Sequence, residues 1–130
     1  MREILFRGKN DRDEWVEGFY IKDYIGTYIY DKYRNTRMQS VLPETVGQYT
    51  GETDKNGKKI FEGDIVRTHL YNGKYYEEIT GVITYAEGHM GFGIHNISES
   101  EIDFIDAFHD PLEVIGNAID NPELLEGVHK

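Results

Sequence analysis

The chain of 130 residues sets fourteen Lys and Arg against twenty-four Asp and Glu, a formal net charge of −10 with histidines neutral, and it contains no cysteine. This excludes disulfides and thiolate metal sites, and it opposes a duplex-binding surface, which gains affinity by neutralising phosphates. No segment approaches the eighteen or more apolar residues of a membrane span, and MREILFRGKN lacks an apolar run of signal-peptide length, so the expectation is a soluble, cytoplasmic protein with no membrane partner.

Strand signals dominate from the start. ILFRG, the polar turn KNDRD and EWVEGFYI together predict a hairpin, and TYIY predicts a short aromatic strand before the charged loop DKYRNTR. MQSVL and ETVGQYT follow, separated around Pro43. Proline cannot donate to a ladder, so it is expected at a strand end or edge. Helical periodicity is weak throughout, and the fourteen glycines punctuate the chain too often for long helices.

The stretch QYTGETDKNGKKIFEGDIV, residues 48 to 66, is the densest run of turn residues. Asn56-Gly57 is a strong hairpin signal, because a type I′ turn needs positive φ at both central positions. Gly63-Asp64 predicts a second turn leading into IVRTHLY, and Asn72-Gly73 joins that strand to KYYEEITGVITY. A ligand-binding reading of the stretch fails on spacing. Asp54 and Asn56 stand two apart, as in a calcium loop, but the fifth position is Lys58 and the twelfth is Ile65 where oxygen ligands are required. No Gly-Lys-Ser/Thr follows to make a phosphate loop. The stretch is therefore expected to bend strands.

Farther on, GFGIHNI is a glycine-spaced strand, with a bulge or close backbone approach expected near Gly91 and Gly93. SESEIDFIDAF suits either a strand or a short helix capped by Ser98 or Ser100. PLEVIGNAI is expected as a strand buried on both faces. NPELLE predicts a closing helix, with Asn121 as N-cap, Pro122 at the first helical position and Glu123 in the first turn.

No constellation marks a reaction. His89 and His95 bracket MGFGI, and on a continuous strand they stand about 20 Å apart at about 3.3 Å per residue, too far to share a zinc unless the glycines fold the strand sharply. Glu99, Glu101, Asp103, Asp106 and Asp110 have no nucleophile or electrophile beside them and are expected as a solvated rim. Ser40, Ser98 and Ser100 lie in no nucleophile-elbow pattern. No catalytic, cofactor-binding or metal residue is assigned, and no cofactor is expected. Basic residues gather at Arg2, Arg7, Lys9 and Arg12 and again at Lys32, Arg34 and Arg37, while the last third is acidic from Glu99 to Glu126. The sharper reading of that acidic third is a docking face for a basic host or phage protein; the blander one is solubility. Ten Tyr, six Phe and one Trp exceed what a small core needs. The clusters YIYDKY and LYNGKYY offer stacking platforms for single strands, yet such grooves also need a positive track. Sheet packing and subunit contact account for them better.

These residues resemble one known family. MREILFRGK, EWVEGFYI, ETVGQYTGETDKNGKKIFEGDIV, GVITY and LEVIGNAIDNPELLE are similar to the YopX family of phage and prophage proteins, with residues 24 to 40 and 67 to 112 matching only loosely. The resemblance implies a mainly β fold with a small closed or partly closed barrel, in a phage-derived cytosolic protein that self-assembles. It carries no established activity and no catalytic residues to transfer.

The combined expectation is a mainly β, compact barrel-like or sandwich-like single domain over 1–130 with a short C-terminal helix: N-terminal strands and a variable loop over 1–45, and a barrel-like core over 46–130. The core should include Leu5, Phe6, Trp15, Val66, Val82, Ile83, Val114 and Ile115. The functional expectation is a non-enzymatic binding module that forms homo-oligomers, with Phe19, Tyr28, Tyr30 and Tyr33 as surplus aromatic surface. The alternative is a nucleic-acid-directed factor or an enzyme without a recognisable motif.

Overall fold

A computed structural model describes residues 4–31, 38–71, 73–86, 91–96, 102–104 and 112–126. By its internal contacts the chain divides into two compact units, Met1–Gly51 and Glu52–Lys130.

In the first unit β1 (Phe6–Lys9), β2 (Trp15–Lys22), β3 (Thr27–Asp31), β4 (Met38–Ser40) and β5 (Gly47–Thr53) form an antiparallel sheet in the order β4-β3-β2-β1-β5. The hairpin expected around KNDRD is there, with Phe6 opposite Gly18 and Lys9 opposite Trp15. Asn10 shapes its turn: the side-chain Oδ1 accepts the backbone N–H groups of Arg12 (2.9 Å) and Glu14 (3.0 Å), and Asp13 takes a left-handed φ of 63°. Residues at alternate positions then reach one face, where Val16, Ile29 and Val41 are buried with Phe6 and Val46 against them. Pro43 lies in no strand. It opens a 3₁₀ turn, Pro43–Thr45, whose missing N–H costs nothing there, and Thr45 Oγ1 accepts the Lys9 N–H at 2.8 Å to tie that turn to β1.

β5 runs past Gly51 into the second unit, where the Asp54–Lys58 turn returns the chain as β6 (Lys59–Phe61). Then β7 (Asp64–Tyr71), β8 (Tyr76–Ala86), β9 (Gly91–Asn96), β10 (Ile102–Phe104) and β11 (Glu113–Asn117) form an antiparallel sheet in the order β10-β9-β8-β7-β11. Its core is Ile60, Val66, Ile83, Ile94 and Leu112, joined by Phe92 and Val114. One short helix, α1 (Glu123–Glu126), follows. The mainly β expectation with a lone C-terminal helix is met, but both strand orders are open, and no closed barrel forms among the described residues.

Several local expectations change. β8 and β9 pair without a register shift from Gly81–Asn96 to Ala86–Gly91, so the ladder has no bulge at Gly91 or Gly93. The irregularity lies in β11, between Val114 and Gly116. β11 is half-buried along its length rather than buried on both faces, because it ends its sheet and pairs with β7. Residues 102–104 of the ambiguous SESEIDFIDAF segment form β10; Ser98, Ser100 and the rest of that segment lie outside the described residues. The Asn121 side chain does not cap α1: its Oδ1 accepts the Asn117 N–H at 3.1 Å, turned back onto β11. Of the expected core, Leu5, Val66 and Ile83 are buried, whereas Phe6, Trp15, Val82, Val114 and Ile115 are half-buried. Trp15 points to the other face of β2 from Val16, where its ring lies 4.6 Å from the Arg7 guanidinium carbon and 5.4 Å from Lys9 Nζ.

Candidate functional site

The turn-rich central stretch is built around one carboxylate. Asp54 is almost fully buried. Its Oδ1 accepts the N–H groups of Asn56 and Lys58, both at 2.9 Å, and its Oδ2 accepts the Val114 N–H at 3.0 Å. The Lys55 N–H donates to the Leu112 carbonyl at 2.9 Å beside it. Burial pushes the Asp54 pKa upward, but the N–H donors of Val114, Lys58 and Asn56 and the Lys58 charge outweigh it and hold the carboxyl below its ordinary 3.8. Both carboxylate oxygens are thus bonded to backbone, and the residue clamps the β5–β6 turn to β11. Nearby, Arg67 Nη2 donates to Glu113 Oε1 at 2.7 Å, and that hydrogen bond draws the Glu113 carboxyl below its usual range.

A cavity of about 250 Å³ opens in the first unit where the β1–β2 turn meets β3 and β4. Glu14, Glu17 and Asp31 give it carboxylates, Asn10 and Gln39 carboxamides, and Trp15 an indole wall. A polar chain orders one side: Asn10 Nδ2 donates to Glu14 Oε1 (3.0 Å) and Gln39 Oε1 (2.9 Å), and Gln39 Nε2 donates to Asp31 Oδ2 (3.2 Å). Chemically this is a carboxylate-bearing recess whose groups are already engaged in part: Arg12 Nε lies 3.4 Å from Glu14 Oε1, and the Trp15 ring covers Arg7 and Lys9. Among the described residues no group of three or more His, Asp or Glu is placed to hold a metal ion.

The third feature is apolar. On the β2–β3 hairpin Phe19, Tyr20, Ile21, Tyr24 and Ile25 are all exposed, Tyr24 at 97%. Asp23 Oδ1 fixes the turn by accepting the N–H groups of Ile25 (2.8 Å) and Gly26 (2.9 Å).

The residues singled out in the sequence are scattered. Arg7 and Lys9 are buried under Trp15, and Lys9 Nζ pairs with Asp13 at 2.8 Å, so the early basic cluster is not an open cationic track. Arg2, Lys32, Tyr33, Arg34, Arg37, His89, Glu99, Glu101, Asp106 and Asp110 lie outside the described residues, while Asp103 is on β10 and His95 on β9. Ser40 sits on β4 opposite Tyr28. Sequence reading missed the cavity carboxylates: Glu14 and Glu17 are separated from Asp31 by a whole hairpin, and only the β2–β3 register, with Gly18 opposite Asp31, brings them together.

Antiparallel sheets among the described residues, with a clamped central turn and the short helix α1, define a mainly β class. The YopX protein family profile matches residues 2–126, and the chain belongs to that family. A crystal structure of protein EF1440 from Enterococcus faecalis is similar, with a TM-score of 0.57 and 23% sequence identity over 96% of this chain and 99% of that one, which supports the fold alone. A search of curated proteins gives no match. No helix among the described residues is long and apolar enough to cross a membrane.

Proposed function

We propose that this chain is a non-enzymatic, self-assembling binding module of phage or prophage origin that works in the bacterial cytoplasm. The observation that carries this reading is the exposed apolar hairpin of the first unit, where Phe19, Tyr24 and Ile25 stand in solvent on an ordered turn. Contiguous apolar surface of this kind marks contact sites on soluble proteins. The net charge of −10 supports a basic protein as the outside partner, since opposite net charge steers such an encounter. Asp54, the most elaborately bonded carboxylate, is committed to backbone and supports structure rather than chemistry.

The test joins two measurements on the purified protein. Light scattering across micromolar concentrations is expected to give a mass above 15.1 kDa. Fluorescence anisotropy on labelled duplex at low salt, with a nucleotide-hydrolysis assay in magnesium or manganese, is expected to show neither binding nor turnover. A sharp monomer would remove the self-assembly half of the reading; micromolar duplex affinity that weakens with salt, or metal-dependent turnover, would replace it with a nucleic-acid-directed factor or an enzyme.

A further inference from the structure

The strand register places Phe19 and Ile21 of the hairpin on one outer face with their cross-strand partners. Residues directly opposite in an antiparallel pair point to the same side. Phe19 is opposite Tyr30, which is opposite Met38; Ile21 is opposite Tyr28, which is opposite Ser40. Two rows across three strands therefore present Phe19, Tyr30, Met38, Ile21 and Tyr28 on the side away from Val16 and Ile29, with a single serine among them. A half-solvated antiparallel sheet ordinarily puts polar residues on that side. Tyr24 and Ile25, in the turn that joins β2 to β3, are exposed as well. Phe19 is 59%, Met38 51% and Ile25 71% exposed, so this is open surface rather than a second core.

We propose that this face is the contact through which two copies of the chain join, each laying its β2–β3 hairpin against the other about a twofold axis. The inference rests on the self-assembly reading above and names its surface. Area comes first. Taking about 150–250 Å² for a fully exposed large side chain, the exposed parts of Phe19, Ile21, Tyr24, Ile25 and Met38 amount to on the order of 600 Å² per copy. A stable complex of standard size takes about 800 Å² from each partner, so these five side chains with a modest polar rim are sufficient. Charge comes second. The net −10 on each copy repels only weakly through the contact, because exposed charges beyond about 8–10 Å are screened at physiological ionic strength.

The experiment uses the full chain. Sedimentation velocity from one to one hundred micromolar is run on the wild type and on the double variant Tyr24→Glu with Ile25→Glu, whose sites are too exposed for the change to disturb the core. The expected result is a wild-type dimer or larger assembly and a variant with unaltered circular dichroism whose dissociation constant is at least about thirtyfold higher. A second measurement does not depend on the variant's stability. The chain has no cysteine, so Phe19→Cys and Ile21→Cys each introduce a lone thiol at mid-patch, expected to give a disulfide-linked dimer on mild oxidation, whereas exposed Glu77→Cys in the second unit should stay monomeric. An assembled wild type whose association survives the double substitution, or mid-patch thiols that cross-link no faster than Glu77→Cys, would place the contact elsewhere and overturn this inference while leaving self-assembly standing. A wild-type monomer throughout would overturn both.

Discussion

Asp54 shows how much one side chain can hold. It serves three backbone donors, two within its own turn and one sixty residues away at Val114. Replacing it with Ala leaves three N–H groups without their acceptor at a largely dry position, and the expected loss is roughly 3 kcal/mol, read as a lowered urea midpoint. The charge itself is tested by pH. The folded carboxyl sits below its ordinary 3.8, so its contribution is fully present above that value and is lost as pH falls through the folded pKa. Stability measured by urea unfolding is therefore expected to decline below about pH 4, and Asp54→Asn should flatten that acid limb while lowering the plateau at pH 7. Glu113, held low by Arg67, acts in the same direction, but the pair is partly open to solvent and its share is small.

The elements turn on local geometry repeated twice. In the Asn10–Glu14 turn the first residue's side chain accepts the N–H groups two and four positions on, its backbone N–H donates to the fifth residue's carbonyl, and the fourth residue's N–H returns to its own carbonyl. The Asp54–Lys58 turn repeats all four bonds. The fourth residue is left-handed in both, Asp13 at φ 63° and Gly57 at φ 82°. Asn56 is not among the described residues with positive φ, so Asn56-Gly57 is no two-residue type I′ turn; the Asp54 carboxylate selects a five-residue turn instead. Gly57→Ala should cost about 1 kcal/mol, the price of a side chain in that conformation. Gly81→Ala should cost more, roughly 3 kcal/mol, because a Cβ there falls 2.5 Å from the His95 carbonyl oxygen and from Ile94 Cγ2 in the adjacent strand. Thermal denaturation of the two variants side by side checks the order.

For the whole molecule the charge balance and the aromatic excess point the same way. With −10 overall and Arg7 and Lys9 committed to Trp15, the described surface offers no segregated basic track, and duplex binding is expected to be absent even at low salt. Basic proteins are the better probe: binding to a basic partner should weaken with salt, and Glu14→Gln with Glu17→Gln should weaken it further if the recess is its seat. Far-ultraviolet circular dichroism should show strand with little helix, well below the ordinary globular share of about one-third.

The sequence alone determined what depends on local chemistry. Alternation of apolar residues placed β2, β3 and β7, glycine and Asx residues placed the turns, and the spacing around Asp54 ruled out a calcium loop. Tertiary structure decided what depends on partners distant in the chain. Asp54 reads locally as a turn residue and becomes a clamp only when Val114 arrives. Trp15 reads as core and becomes a cover for two cations because the β2 pleat turns it away from Val16. β11 reads as a strand buried on both faces, but its place at the end of the strand order leaves it half-buried. The acidic recess and the outer apolar rows exist only in register, since a one-residue slip would send Phe19 and Ile21 to the opposite face. Periodicity tells which residues share a face; only strand pairing tells which face is covered and by what.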